Sequence, residues 1–149
     1  AEMEQELAAL GTSGAGGVSG SGDRAAANPG ARNVDFLPHL VPMTRGILSA
    51  CHVRPTRPVT QRELDIIYAE AYAGEAFVHV VTQPPATKHV LGSNACRIHV
   101  RVDERTGRIL ALGVIDNLVK GAAGQAIQAF NVVHGLPETA GLEQLPLAP

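Results

Sequence analysis

Neither sign of charge dominates this chain. Twelve basic and 14 acidic residues leave a net charge of -2 over 149 residues, so nothing electrostatic points to nucleic acid as a partner. No apolar run is long enough to span a bilayer and no signal-peptide pattern is present, which argues against a membrane partner. Two cysteines, Cys51 and Cys96, are too few for a disulfide framework, and a reducing cytoplasm fits them. The six histidines form no H-x-x-x-H group and the cysteines no C-x-x-C pair, so no metal site is expected. A G-x-G-x-x-G phosphate loop and internal repeats are also missing. What remains is 45% hydrophobic, enough for one domain with a core.

The chain opens on "AEMEQELAAL" without an initiator Met and already in helical register, with Met3, Leu7 and Leu10 on one face. These residues read as a piece of a longer protein. Residues 11–33, rich in Gly, Ser and Ala, read as a flexible insertion. Val34 to Leu40 and Gly46 to Val53 are predicted strands. "TQRELDIIYAEAY" is a predicted helix, with Thr60 and Glu63 as a capping box and Leu64, Ile67, Tyr68 and Ala71 as its buried face. "AFVHVVT" is a short β-rich run, and Gly92 and Asn94 mark a turn in "TKHVLGSN". From Cys96 to Asp103 apolar and polar residues alternate, which predicts a strand with one apolar face. Thr106-Gly107 turns it into a hairpin with Ile109 to Ile115. The expected fold class is α+β, a mixed, largely antiparallel sheet with helices on one face.

The closing stretch, "DNLVKGAAGQAIQAFNVVHG", is a predicted helix with Asp116 as N-cap and Gly135 and Pro137 as its stop. At about 100° per residue, Val119, Ala123, Ala126, Phe130 and Val133 form one stripe, the expected core face. Asn117, Gly121, Gly124, Gln128 and Asn131 form another. Interior glycines cost about 1 kcal/mol each against Ala, which close packing of another backbone or a ligand lying on the helix can offset. Either way the helix should lie between its own sheet and a second body.

"GSNACRIHVRVDERTGRILALGVIDNLVKGAAGQAIQAFNVVHGLPETAGL", "FLPHLVPMTRGILSACHVR" and "TKHVLGSN" resemble, in the same order, the C-terminal part of the N-acetyl-γ-glutamyl-phosphate reductases, NADP-dependent enzymes of arginine biosynthesis. The resemblance implies a glyceraldehyde-3-phosphate dehydrogenase-like catalytic and oligomerisation domain over 34–115. It also implies a helix, 116–135, returning to a Rossmann NADP-binding domain, then a tail, 136–149. Residues 1–10 resemble the helix after the family's catalytic-His segment. In such enzymes a Cys thiolate and a cofactor hydride interconvert an acyl phosphate and an aldehyde through a thioester, with a His as acid/base. Both residues lie outside this sequence on this alignment; "NPGAR" at Asn28 is only superficially similar to the nucleophile's segment, with Ala31 at the Cys position and a linker around it.

The resemblance further implies Glu2 as a residue orienting that His, and Arg45 as a holder of substrate phosphate or carboxylate, an ion pair within the fold being the other reading of Arg45. It implies Lys88 and Asn94 as additional substrate contacts. Asn117 would lie beside the nicotinamide, with Gly121 allowing close approach. A homo-oligomer, dimer or tetramer, and a small-molecule substrate are the expected partners. The residues taken alone read more plainly. Cys51 and Cys96 are small buried hydrophobes, His52 faces away from Cys51, and Lys120 is a solvated or interdomain charge. Arg97, His99 and Arg101 line a wet or subunit-facing side of the sheet. A stand-alone assembly module without the catalytic half, and the aminoadipyl-phosphate reductases of lysine biosynthesis, are the alternative readings.

Overall fold

A computed structural model describes residues 34–147. The expectations for residues 1–33, including the opening helix, Glu2, Asn28 and Ala31, lie outside the described residues. The described residues fall into two units divided between Val41 and Pro42. Residues 34–41 carry no strand, against the expectation for Val34 to Leu40. Pro38 sits mid-run and removes a backbone donor that a ladder would need.

The second unit holds a four-stranded sheet. Its strands are β1 (Ile47–Val53), β2 (Val78–Val80), β3 (Cys96–Asp103) and β4 (Arg108–Ile115), in the order β1-β4-β3-β2. β1 and β3 each pair antiparallel with β4, while β2 pairs parallel with β3. Helix α1 (Gln61–Ala71) follows β1, a short 3-10 helix (Thr87–Val90) precedes β3, and α2 (Gly124–Val133) follows β4. The α+β expectation holds.

Helix α1 starts at the predicted capping box: Glu63 N donates to Thr60 Oγ1 at 3.2 Å and Thr60 N to Glu63 Oε2 at 2.9 Å. The N–H and hydroxyl of Thr60, then Arg57, hold the Glu63 carboxyl below its ordinary pKa. One face of the sheet carries Val100, Ile109, Ala111, Ile98 and Val102, which pack with Leu64, Val59 and Tyr68 as the main core. β2 is only three residues long, so the outer edge of β3 is bare beyond Ile98. Gln61 fills that gap with its carboxamide, donating to Val100 O at 3.1 Å and accepting Val102 N at 2.8 Å. This seats α1 over β3, away from β1. The predicted buried face is therefore only partly buried. Leu64 is 3% exposed, but Ile67 is 49% exposed and Ala71 is exposed.

The same offset leaves the α1-side residues of β1, Ile47, Ser49, Cys51 and Val53, exposed, which corrects the reading of Cys51 as a buried hydrophobe. Cys51 pairs with Ala111 and His52 with Leu110, so the two point to opposite faces as expected. On the second face Val114 packs with Val90 and Ala95. Among the described residues no helix is long and apolar enough to cross a membrane.

Leu64→Ala is expected to lower the unfolding free energy by about 2–5 kcal/mol, whereas Ile67→Ala should change it by less than about 1 kcal/mol. Urea denaturation of both variants checks this; equal losses would place Ile67 in the core after all.

Candidate functional site

Three segments meet where β4 ends. Asp116 is 1% exposed. Its carboxylate accepts Leu118 N at 2.8 Å and Val119 N at 3.1 Å, as an N-cap should. It also accepts Gly92 N at 2.6 Å from the turn before β3. Arg45 Nε, just before β1, lies 3.0 Å from Oδ1 and 2.8 Å from Oδ2. Burial by itself pushes the Asp116 pKa up. The Gly92 amide, then Arg45, Leu118 and Val119, together outweigh that and hold the carboxyl below its ordinary value. Beside this pair, Gly46 N donates to Asn117 Oδ1 at 2.7 Å.

Arg45 is therefore committed through Nε to an ion pair within the fold, with its side chain 31% exposed. Gly46 holds φ at +112°, and a Cβ there would lie 2.7 Å from Thr87 Cβ, so only glycine fits. A backbone N–H can only donate, so the atom of Asn117 that meets Gly46 is the oxygen. The Nδ2 group of Asn117 is thus left as the donor that this half-exposed residue can present.

After Asp116 the backbone makes one turn of π-helix, Val119–Ala123, before α2. Gly121 N reaches Asp116 O at 2.9 Å and Ala123 N reaches Leu118 O at 3.1 Å. Such insertions are frequent at functional positions. At the far end Leu136 N bonds Asn131 O at 2.8 Å around Gly135, as its predicted stop requires.

Helix α2 faces the opposite way from the expectation. Gly124 is buried and Asn131 is 4% exposed, whereas Phe130 is 56% and Val133 79% exposed, and Ala126 is exposed too. Hydrogen bonds bring the polar stripe inside. Asn131 Nδ2 donates to Glu138 O at 3.2 Å and Ala140 O at 2.9 Å. Gln128 Oε1 accepts Asn94 Nδ2 at 3.0 Å and Lys120 Nζ at 2.6 Å, and its Nε2 donates to the Glu138 carboxylate. The chain after α2 returns over this stripe, with Leu142 2% exposed and Leu147 N bonded to Leu91 O at 2.8 Å.

The two glycines that periodicity groups together have different reasons to be there. A Cβ on Gly124 would come within 2.3 Å of Asn94 Oδ1 and 2.8 Å of Val119 O, so Gly124 serves close packing. A Cβ on Gly121 would meet nothing nearer than 3.4 Å, and Gly121 is exposed. Packing within the chain does not require it.

The other predicted residues are dispersed. Asn94 is 1% exposed, bonded to Gln128, and its Oδ1 has no hydrogen-bond partner. Lys88 is exposed on the 3-10 helix. Lys120 is half-buried and 5.6 Å from the Phe77 ring centroid, so of its two readings, solvated or interdomain charge, it is not fully the first. Cys96 lies on the α1 side of the sheet, opposite Ile115. Burial pushes its thiol pKa up, with Lys120 pulling part of the way back, so it is no ready thiolate. His99 is 9% exposed, its Nδ1 3.0 Å from Val81 O, so only part of the polar row of β3 is wet. Among the described residues no group of His, Cys, Asp and Glu is placed to hold a metal. Sequence reasoning missed Gln61 and Glu138, and it placed Gln128 on the polar stripe without its partners. Their partners lie across chain distances that no local pattern reports.

Residues 23–117 match the family described as semialdehyde dehydrogenase, dimerisation domain. Among curated proteins, an N-acetyl-gamma-glutamyl-phosphate reductase of Citrifermentans bemidjiense is 47% identical over 99% of this chain and 38% of its own length. One of Geobacter metallireducens is 49% identical over the same shares. One of Shouchella clausii is 49% identical over 78% of this chain and 34% of its own length. The chain thus spans just over a third of the curated relatives it matches.

Two outcomes test this junction. Gly124→Ala should destabilise by about 1–3 kcal/mol, while Gly121→Ala is neutral or gains up to about 1 kcal/mol, read by chemical denaturation. The depressed Asp116 pKa means that the unfolded chain binds the proton first. Its stabilisation is complete above the unfolded carboxylate value of about 3.9 and drains as pH falls through the lower folded value. Asp116→Asn should then be less stable at neutral pH, and the gap to wild type should narrow under acid. A gap that does not change with pH would contradict this.

Proposed function

Because the chain belongs to the semialdehyde dehydrogenase dimerisation-domain family, we propose that it is the C-terminal part of an N-acetyl-γ-glutamyl-phosphate reductase. The reaction is NADPH-dependent reduction of N-acetyl-glutamyl 5-phosphate to the semialdehyde, in arginine biosynthesis. The observation that carries this reading is the identity, 47–49% over as much as 99% of the chain, to relatives bearing that name. The thiolate nucleophile, the acid/base His and the cofactor's phosphate site come from residues outside this sequence, and the 149 residues alone are inactive.

Within that reading the bound NADPH supplies the hydride. The residues here fit its nicotinamide end. Asn117 keeps Nδ2 as a donor suited to a carboxamide oxygen, because Gly46 occupies Oδ1, and Gly121 beside it is exposed and free of packing demands. Arg45, held by Asp116, brings positive charge to the same junction, where a substrate phosphate or carboxylate can approach. Lys88 is a second cation on the neighbouring 3-10 helix, and Asn94 acts from inside by fixing Gln128. The exposed stripe of Ile127, Phe130 and Val133 on α2 is the surface that a cofactor-binding body covers. On this reading the second body expected from periodicity lies against the apolar side of the helix, not against its polar stripe.

In the full-length reductase, Asn117→Asp keeps an acceptor for Gly46 N and removes the donor. It is expected to raise KM for NADPH by about three- to tenfold with little change in thermal midpoint. Unchanged kinetics would remove Asn117 from the cofactor site.

A further inference from the structure

Four side chains meet behind the π turn, and charge decides how they face one another. Lys120, in that turn, donates from Nζ to Gln128 Oε1 at 2.6 Å. Asn94 Nδ2 donates to the same oxygen at 3.0 Å. Gln128 Nε2 donates in turn to the carboxylate of Glu138, on the chain that returns after α2. A carboxamide has an acceptor end and a donor end. The ammonium claims the oxygen of Gln128 and the carboxylate claims its nitrogen, so turning this amide over would set like against like at both ends. With that oxygen fixed, Asn94 meets it through Nδ2. Its Oδ1 is then sent towards Gly124, where it has no hydrogen-bond partner although the residue is 1% exposed. An unfilled buried acceptor costs stability. Such a departure from local stability belongs to places where function holds a group in position.

The same bonds turn Lys120 inward. Its Nζ lies 5.6 Å from the ring centroid of Phe77, which is 8% exposed. The next residue, Gly121, is exposed, and a Cβ on it would meet nothing nearer than 3.4 Å. A π turn is a rare geometry that neighbouring structure must hold. Asp116 ties its start through Leu118 N and Val119 N. Lys120 ties its middle. We infer that Gln128 and Glu138 are positioning residues for the cofactor: by holding Lys120 inward they set the π turn so that Asn117 and Gly121 face the nicotinamide. This rests on the reading of Asn117 and Gly121 given above. Neither Gln128 nor Glu138 touches the cofactor; both act through Lys120. Because Glu138 belongs to the segment after α2, that segment is part of how the site is built as well as a cover for the helix.

Steady-state kinetics of the full-length reductase test this by exchanging the two groups. Gln128→Glu alone sets a second carboxylate against Glu138. It should raise KM for NADPH by about three- to tenfold. KM for the acyl phosphate should stay within about twofold, because Arg45 is held separately by Asp116. Gln128→Glu combined with Glu138→Gln restores every bond with donor and acceptor exchanged. It should return KM for NADPH to within about twofold of wild type. Should Gln128→Glu fail to fold, Gln128→Met, which removes both ends of the amide, should show the same rise. A folded single variant with wild-type KM for NADPH, an equal rise in both KM values, or a double variant as impaired as Gln128→Glu would each overturn the inference and leave the reductase reading standing. A full-length wild type without reductase activity would overturn both.

Discussion

A single buried carboxylate determines how the ends of this sheet are joined. Asp116 takes amides from Gly92, Leu118 and Val119 and the guanidinium of Arg45. A carboxylate that is 1% exposed is tolerated only because its lone pairs are filled and a cation neutralises it. In filling them it ties the segment before β1, the turn before β3 and the start of the π turn to one point. Gly46 and Asn117 add a second tie alongside. The two residues with the best claim to ligand, Arg45 and Asn117, are thus placed by the same junction. A change there would move both together.

From this point α2 leaves with its polar side inward. Amphipathic helices usually bury the apolar stripe, and the exception here has a physical cause. Asn94 Nδ2 and the Glu138 carboxylate both bond the Gln128 carboxamide, and Asn131 bonds the returning backbone. Gly124 lets Asn94 come closer than any side chain would allow. The interior of this region is built from hydrogen bonds, and the apolar stripe of Ile127, Phe130 and Val133 stays exposed.

Much of the fold was legible. Period-two alternation located β3 and β4, Thr60 and Glu63 located the start of α1, and Asp116 and Gly135 bracketed the last helix. Those signals are local, and local spacing reports them. Which face of α2 turns inward was not legible, because hydropathy cannot show that Gln128 will meet Asn94 and Glu138. The exposure of Cys51 was hidden for a related reason: it depends on where Gln61 anchors α1 on the edge of β3. Of the candidate junction, the residue identities were legible and the ties between them were not. Resemblance brought out Arg45 and Asn117, but their joint dependence on Asp116 spans 71 residues of chain. The strand expected at Val34 to Leu40 is absent, and Pro38 within the run cannot donate to a ladder.

The central claim is that Asp116 holds three segments as one unit, and amide hydrogen exchange tests it most directly. In wild type the amides of Gly92, Leu118 and Val119 should be protected together. In Asp116→Asn they should lose protection together while Val100 and Ile109 of the sheet keep theirs. Amides that exchange freely in wild type, or that respond to the substitution one at a time, would contradict the account.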